Sequence, residues 1–496
     1  MKFSKRIFTC ACMAGLSFSM LGQTAEPSNE PLESTNAQAQ PATTPVFAVL
    51  SNLGLNSGDP QNPSFPGILA QGRDGNIYST TTQGGSDSSG TVFKITPSGV
   101  RTLLHSFDTT HGSSPFSGLT LGTDGNFYGS ANSGGTNSDG VVFKVTSSGS
   151  LTVLHNFTGG SDGAEPWAGP VQGSDGNFYG TNISGASSFG VVYKVTSGGS
   201  FTTTHDITVR FTEITAPLIQ GTDGNFYGTD AEGGTNDEGT VFTVSPSGSF
   251  KTLFNFDGTH GFSPFGPLVQ STDGNFYGMT NSGGSGGEGV IFKITPSGTL
   301  TVLHNFDSTN GGSPLGGLVR ASDGNFYGMT SSGGTSNAGV IFKVTSSGTY
   351  SVLHDFDGTH GQDPEVTLLQ HTNGKLYGDT KQGGTAGKGV VFSFDVGASA
   401  FARLLSSSGT VGSTIEILGQ GFTSSTTVSF GGKAGTVASE SASFLTAKVP
   451  AGALTGAATV KTGSTTLTSN VTFRVLPTIK SFSPTSGPFG KEIVIT

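Results

Sequence analysis

The chain is poor in cysteine, in charge and in long apolar runs, and each lack excludes something. Of 496 residues only Cys10 and Cys12 are cysteines. Both fall within the opening segment, so the rest of the chain can form no disulfide and use no thiol. Charged residues make up 11%, where about 25% is ordinary, which excludes a charged disordered segment or a helix bundle. The longest apolar stretch, Ile7 to Leu21, is short for a membrane span and has no stop-transfer flank. It follows the basic residues Lys2, Lys5 and Arg6 and precedes Gln23-Thr24-Ala25. That order predicts a signal peptide over 1–25, export to a secreted or cell-surface location, and no transmembrane segment in the mature chain. Without those three basic residues, 20 remain against 33 acidic ones. An acidic, charge-poor protein is unsuited to nucleic acid or anionic membranes. Residues 26–45 lack hydrophobic periodicity and read as a flexible leader.

What is abundant is glycine, 80 residues, and one sentence repeated. "TDGNFYGMTNSGGSGGEGVIFKITPSG" at 272–298 returns as "SDGNFYGMTSSGGTSNAGVIFKVTSSG". The turn residues are Asp74, Asp124, Asp175, Asp223, Asp273, Asp323 and Asn373, at intervals of 48 to 51. Each copy holds four short apolar runs separated by Gly, Asp, Asn, Ser and Pro, which predicts four antiparallel strands, one blade of a propeller. Seven copies predict a seven-bladed β-propeller over 46–395. The run "VFAVLSNLG" (46–54) matches a fourth strand with no predecessors, and the last copy lacks its fourth. The N-terminal strand should therefore complete the last blade and remove two open edges.

Asp-Gly-Asn between two strands is a hairpin signal. A calcium loop needs several oxygen ligands, and here each loop offers one Asp. His105, His155, His205, His304 and His354 share one position of the fourth strand, with Phe254 in another copy. Strands of separate blades cannot converge on one zinc ion, so these read as packed, hydrogen-bonded histidines between blades. No metal and no cofactor is expected.

The unit "DGNFYG…GG…GVVFKVT…SG…TVLHNFD" resembles the GloVer tandem repeat of bacterial surface proteins, a family with interchangeable C-terminal anchors. The resemblance spans 46–395 and implies secretion and surface display; it carries no chemistry. After "FSFDVG", the segments "SSGTVGSTIEILGQGF" (407–422), "VSFGG" (428–432) and "VPAGALTG" (449–456) resemble an IPT/TIG domain, an immunoglobulin-like β-sandwich, assigned to 396–476. Strands are expected at 413–418, 426–430, 444–449, 457–461 and 470–475. "SGPFGKEIVI" within 477–496 echoes "SGTVGSTIEI" and reads as the start of an incomplete second copy. The fold class is thus all-β, a propeller followed by a sandwich.

An enzyme should break its repeat, because catalysis needs different residues in different roles. The breaks are few. "SDGAEPWAGP" supplies Glu165 and the lone tryptophan, Trp167, and "TVRFTEITAP" supplies Arg210 and Glu213. On adjacent blades these could form an acid/base pair or a sugar site beside Trp167; the simpler reading is solvated loop carboxylates and a partly buried aromatic. Glu165, Trp167 and Glu213 are the candidate ligand-binding residues, and none is assigned a catalytic role. No single-copy His lies beside a carboxylate in these loops, and no nucleophile elbow or phosphate loop occurs. The expected function is a non-catalytic, monomeric binding or scaffold protein for an extracellular glycan, peptide or cell-envelope component, with the sandwich as a stalk. The alternative is a propeller lyase or hydrolase acting on an extracellular polymer; the Asp-Gly-aromatic turn is faintly similar to that of virginiamycin B lyase-type propellers.

Overall fold

Seven four-stranded antiparallel sheets follow one another along the chain in a computed structural model. The structure describes residues 44–64, 67–185, 189–208, 213–477, 482–483 and 494–495. The signal peptide, nearly all of the leader, and Arg210 lie outside the described residues. Among those described there is no helix; every element is a strand.

Blade 1 comprises Ala70–Gln71, Ile77–Thr81, Thr91–Ile95 and Arg101–Ser106, and the pattern repeats through blade 6, which ends at Tyr350–Asp355. Blade 7 has Leu369–Gln370, Leu376–Asp379 and Val390–Asp395, and its fourth strand is Val46–Asn52. Val46 pairs with Asp395 and Asn52 with Val390. The register slips between Val49 and Ser51, at the place where each other fourth strand slips. The N-terminal strand therefore closes the ring as an ordinary fourth strand.

The Asp-Gly-Asn motif is a turn with a purpose. In blade 2, Asp124 accepts hydrogen bonds from the Asn126 amide (3.0 Å), Asn126 Nδ2 (2.8 Å) and Tyr128 Oη (2.7 Å). Gly125 takes a φ of 84°, which a side chain would oppose. Tyr128 then lies on Phe178 of the next blade, centroids 3.6 Å apart. Turn, strand and blade contact are thus one unit, and it recurs at Asp74, Asp175, Asp223, Asp273 and Asp323. A glutamine three residues before the turn adds a second link. Gln172, Gln220, Gln270 and Gln370 each accept from an amide of the preceding blade at 2.8–2.9 Å. Gln71 does the same across the closing seam, to Thr372 (3.0 Å).

The fourth-strand histidines pack between blades. His155 stacks on Phe201 (3.8 Å), His304 on Tyr350 (3.8 Å) and His354 on Phe47 (4.0 Å). One expectation fails in part. His155 Nε2 meets Asp162 Oδ2 at 2.9 Å, but Nε2 of His105, His304 and His354 has no partner among the described residues. Burial lowers the pKa of these three. A neutral ring stacked on an aromatic suffices there.

The C-terminal module is a two-sheet sandwich. One sheet orders Arg403–Leu404, Thr414–Leu418, Phe444–Lys448 and Thr436–Ser441. The other orders Ser408–Thr410, Thr465–Leu476, Gly456–Thr462, Thr427–Phe430 and Lys433–Ala434. Ile415, Ile417, Phe430, Leu445, Val460 and Phe473 fill the core between them. All five expected strands are present. The four that were not anticipated are short or, like "TVASES", largely exposed and polar, so they lack an apolar alternation. Of the expected second copy only the pair Phe482–Ser483 with Val494–Ile495 is described.

Residues Gln40–Thr496 form one compact unit, because the sandwich packs on the turn end of the propeller. Arg73 pairs with Glu416 at 2.8 Å and covers the Phe444 ring at 4.5 Å. Ser443 Oγ donates to Arg73 O (2.7 Å), and Gln420 Nε2 donates to Thr372 Oγ1 (2.8 Å). Arg403 donates to Gln370 O. Much of the turn end is therefore occupied, and the opposite end, built from the blade-to-blade connectors and the loops between second and third strands, carries the candidate site.

Candidate functional site

Each connector enters its blade through a short β-bridge or backbone bond to the neighbouring loop. Ser113 pairs with Ser133, Ala164 with Ser184, and Phe262 with Ser282. The next residue lies ten before the turn residue: Ser114, Glu165, Glu213, Ser263, Ser313 and Asp363 occupy this one position in blades 2 to 7. All but Glu213 take a left-handed φ of 51–57°, ahead of a proline that fixes the following step. Glu165 and Glu213 are therefore structural equivalents on adjacent blades, and Asp363 is a third. The spacing of 48 in one copy and 51 in another hid that equivalence in the sequence.

Two residues further in come Phe116, Trp167, Thr215, Phe265, Leu315 and Glu365. Small residues follow at the axis. A Cβ on Gly266 would strike the Gly316 carbonyl, and one on Gly316 the Val366 carbonyl, so the innermost ring tolerates no bulk there. The bulky side chains of the preceding ring are thereby held at the mouth. Trp167 is partly exposed and lies flat on Phe116, centroids 4.7 Å apart and planes within 5°.

Glu165 is exposed and Glu213 half-buried. The Glu213 amide donates to Asp230 Oδ1 at 2.7 Å, and the Glu232 amide reaches the same oxygen at 3.3 Å. Burial, with Glu232 nearby, raises the Glu213 pKa. Burial raises Asp230 to about 7, against the two amide bonds. In blade 7, Asp363 is raised to about 6 by burial and by Glu365, while Lys381 pairs with Glu365 at 2.7 Å. Asp379, 0% exposed, is raised to about 7 by burial; Ser79 Oγ donates to it at 3.2 Å.

Sequence reasoning missed Asp230, Asp363 and Asp379. A signal existed for each. Asp230 stands where four copies have Thr81, Thr280, Thr330 and Thr380, and Asp379 where others have Thr80, Ser130 and Thr229. Among the described residues no group of three or more His, Cys, Asp and Glu is placed to hold a metal ion. No helix there is long and apolar enough to cross a membrane.

With this geometry in hand, the comparisons place the chain. It belongs to the Gloeobacter/Verrucomicrobia repeat family, whose model matches residues 62–272 and 268–419. An IPT/TIG domain matches 402–475. No curated protein matches the chain. Similar solved structures include virginiamycin B lyase from Staphylococcus aureus: 13% identity, 71% of this chain, 99% of that chain, TM-score 0.48. A gluconolactonase from Xanthomonas campestris shares 12% identity over 70% of this chain and 99% of that one, TM-score 0.37. A puromycin hydrolase shares 12% over 64% and 50%, TM-score 0.43. None of their chemistry transfers at such distances.

Proposed function

We propose that the protein is an extracytoplasmic binding protein whose connector end holds a glycan at Trp167, with Glu165 and Glu213 accepting its hydroxyl hydrogen bonds. One observation carries this reading: the only tryptophan is held flat and partly exposed on Phe116, beside a connector carboxylate. A flat apolar face next to acceptors suits a sugar ring. The repeat paired with an IPT/TIG domain fits a surface binding protein. The basic, apolar opening of the sequence fits export.

The test is a glycan array with the full chain, followed by titration of any hit against Trp167→Ala. The variant should keep its melting temperature and lose ~1–3 kcal/mol of binding, as an aromatic anchor does. Unchanged affinity sinks the reading. Turnover of a polymer without the Trp167 dependence would favour the lyase or hydrolase alternative.

A further inference from the structure

The seam between blades 3 and 4 is chemically unlike the others. Elsewhere the residue six beyond the turn aspartate caps the incoming connector. Thr80 Oγ1 donates to Pro115 O (2.9 Å), Ser130 Oγ to Ala168 O (3.0 Å) and Thr229 Oγ1 to Gly266 O (3.0 Å). Thr181 is the matching residue of blade 3. It is 0% exposed, and its Oγ1 has no partner among the described residues. Across the seam Thr215 stands where Phe116 and Trp167 stand on their blades; it too is buried, with Oγ1 unpartnered. A third hydroxyl joins them. Tyr193 replaces the third-strand Phe of blades such as Phe143 and Phe242, and it packs against Gly180, beside Thr181. Its Oη is buried and unpartnered as well.

A buried hydroxyl without a partner costs roughly 1–3 kcal/mol, and such groups call for a functional reason. Three at one seam stand beneath the Trp167–Phe116 platform. On the exposed side are Glu165 and Glu213, with Asp230 and Glu232 against the latter. Among the described residues none of these four has a basic partner.

We propose that this seam recognises an amino sugar. The ring lies on Trp167, the ammonium is held between Glu165 and Glu213, and ring hydroxyls meet Thr215 and the hydroxyls behind it. This rests on the glycan reading above and narrows it. Uncompensated carboxylates repel uronate or phosphate-bearing glycans. A lysine side chain would answer the carboxylates alone; an amino sugar also brings oxygens for the hydroxyl donors and a ring for the platform.

The experiment titrates the full chain with a glucosamine tetramer, an N-acetylglucosamine tetramer and tetralysine. The glucosamine tetramer should bind roughly tenfold or more tighter than its acetylated form, and weaken as salt rises. Glu213→Gln and Glu165→Gln should erase that preference without shifting the melting temperature. Thr215→Val should weaken both sugars. Equal affinity for the two tetramers overturns the inference, while a loss in Trp167→Ala would keep the glycan reading. Glucosamine binding that survives Trp167→Ala but not Glu213→Gln overturns the platform instead. Tighter binding of tetralysine, or no binding of either sugar, overturns the proposal.

Discussion

The two ends of the propeller use the same carboxylates and push them in opposite directions. At the turn end, burial raises Asp124 and Asp273, yet hydrogen bonds from Tyr, Asn and a backbone amide outweigh it and hold both below the usual range. Lys144 and Lys293 help. At the connector end Asp230, Asp363 and Asp379 are buried with fewer or weaker donors, and all three are raised. Burial is common to both ends; the number of donors decides the sign. One end is therefore built for stability, and the other carries charge its surroundings do not satisfy, as binding faces do.

That contrast can be broken experimentally. The largest effect should come from Asp379→Thr, which restores the repeat. The folded carboxyl titrates at about 7 against an ordinary 3.8. The native state thus holds its proton longer than the unfolded state, and wild-type stability falls as pH rises from about 4 to 7. The variant should lack that fall and gain up to ~3 kcal/mol above neutral pH; a pH series of denaturant melts checks it, and parallel curves would refute it. Asp273→Ala at the other end should cost ~2 kcal/mol by stranding the Tyr277 hydroxyl and Asn275. Its wild-type contribution is present above the unfolded pKa and is lost as pH falls through the depressed folded value. Arg73→Ala leaves Glu416 partly buried without its cation and should cost about 1 kcal/mol, with faster proteolysis near 400 as the readout. Glu165→Ala should stay within ~0.5 kcal/mol, although the residue is a candidate ligand group.

The blade count, the strand order and the closing strand were legible because a period near 50 and a matching end pattern are local facts. So was the turn, since Asp-Gly-Asn needs only its own neighbours. The glutamine links were not: Gln172 meets Thr123 of another blade, and nothing in "VQGSDG" says which amide is near. The expected stalk became a docked module for the same reason. Its footprint is visible only afterwards, as the departures Arg73 and "QHTNGK" at 370–375 in the two blades beside the seam. At the candidate site, Glu165, Trp167 and Glu213 stood out as unlike the repeat. Tyr193 did not, because a Phe-to-Tyr exchange reads as conservative until its hydroxyl is found buried.

The closing strand also sets a timetable. Residue 46 must wait for residues 390–395 to be made before it can pair, so six blades can form while the first strand hangs free. Long-range pairing of this kind is slow. The sandwich begins only a few residues later, and its contacts fall on Arg73 to one side of the join and Thr372 to the other. It can grip both only once the circle is shut. The last module made is thus a latch, and folding of the whole chain ends where the two ends of the propeller meet.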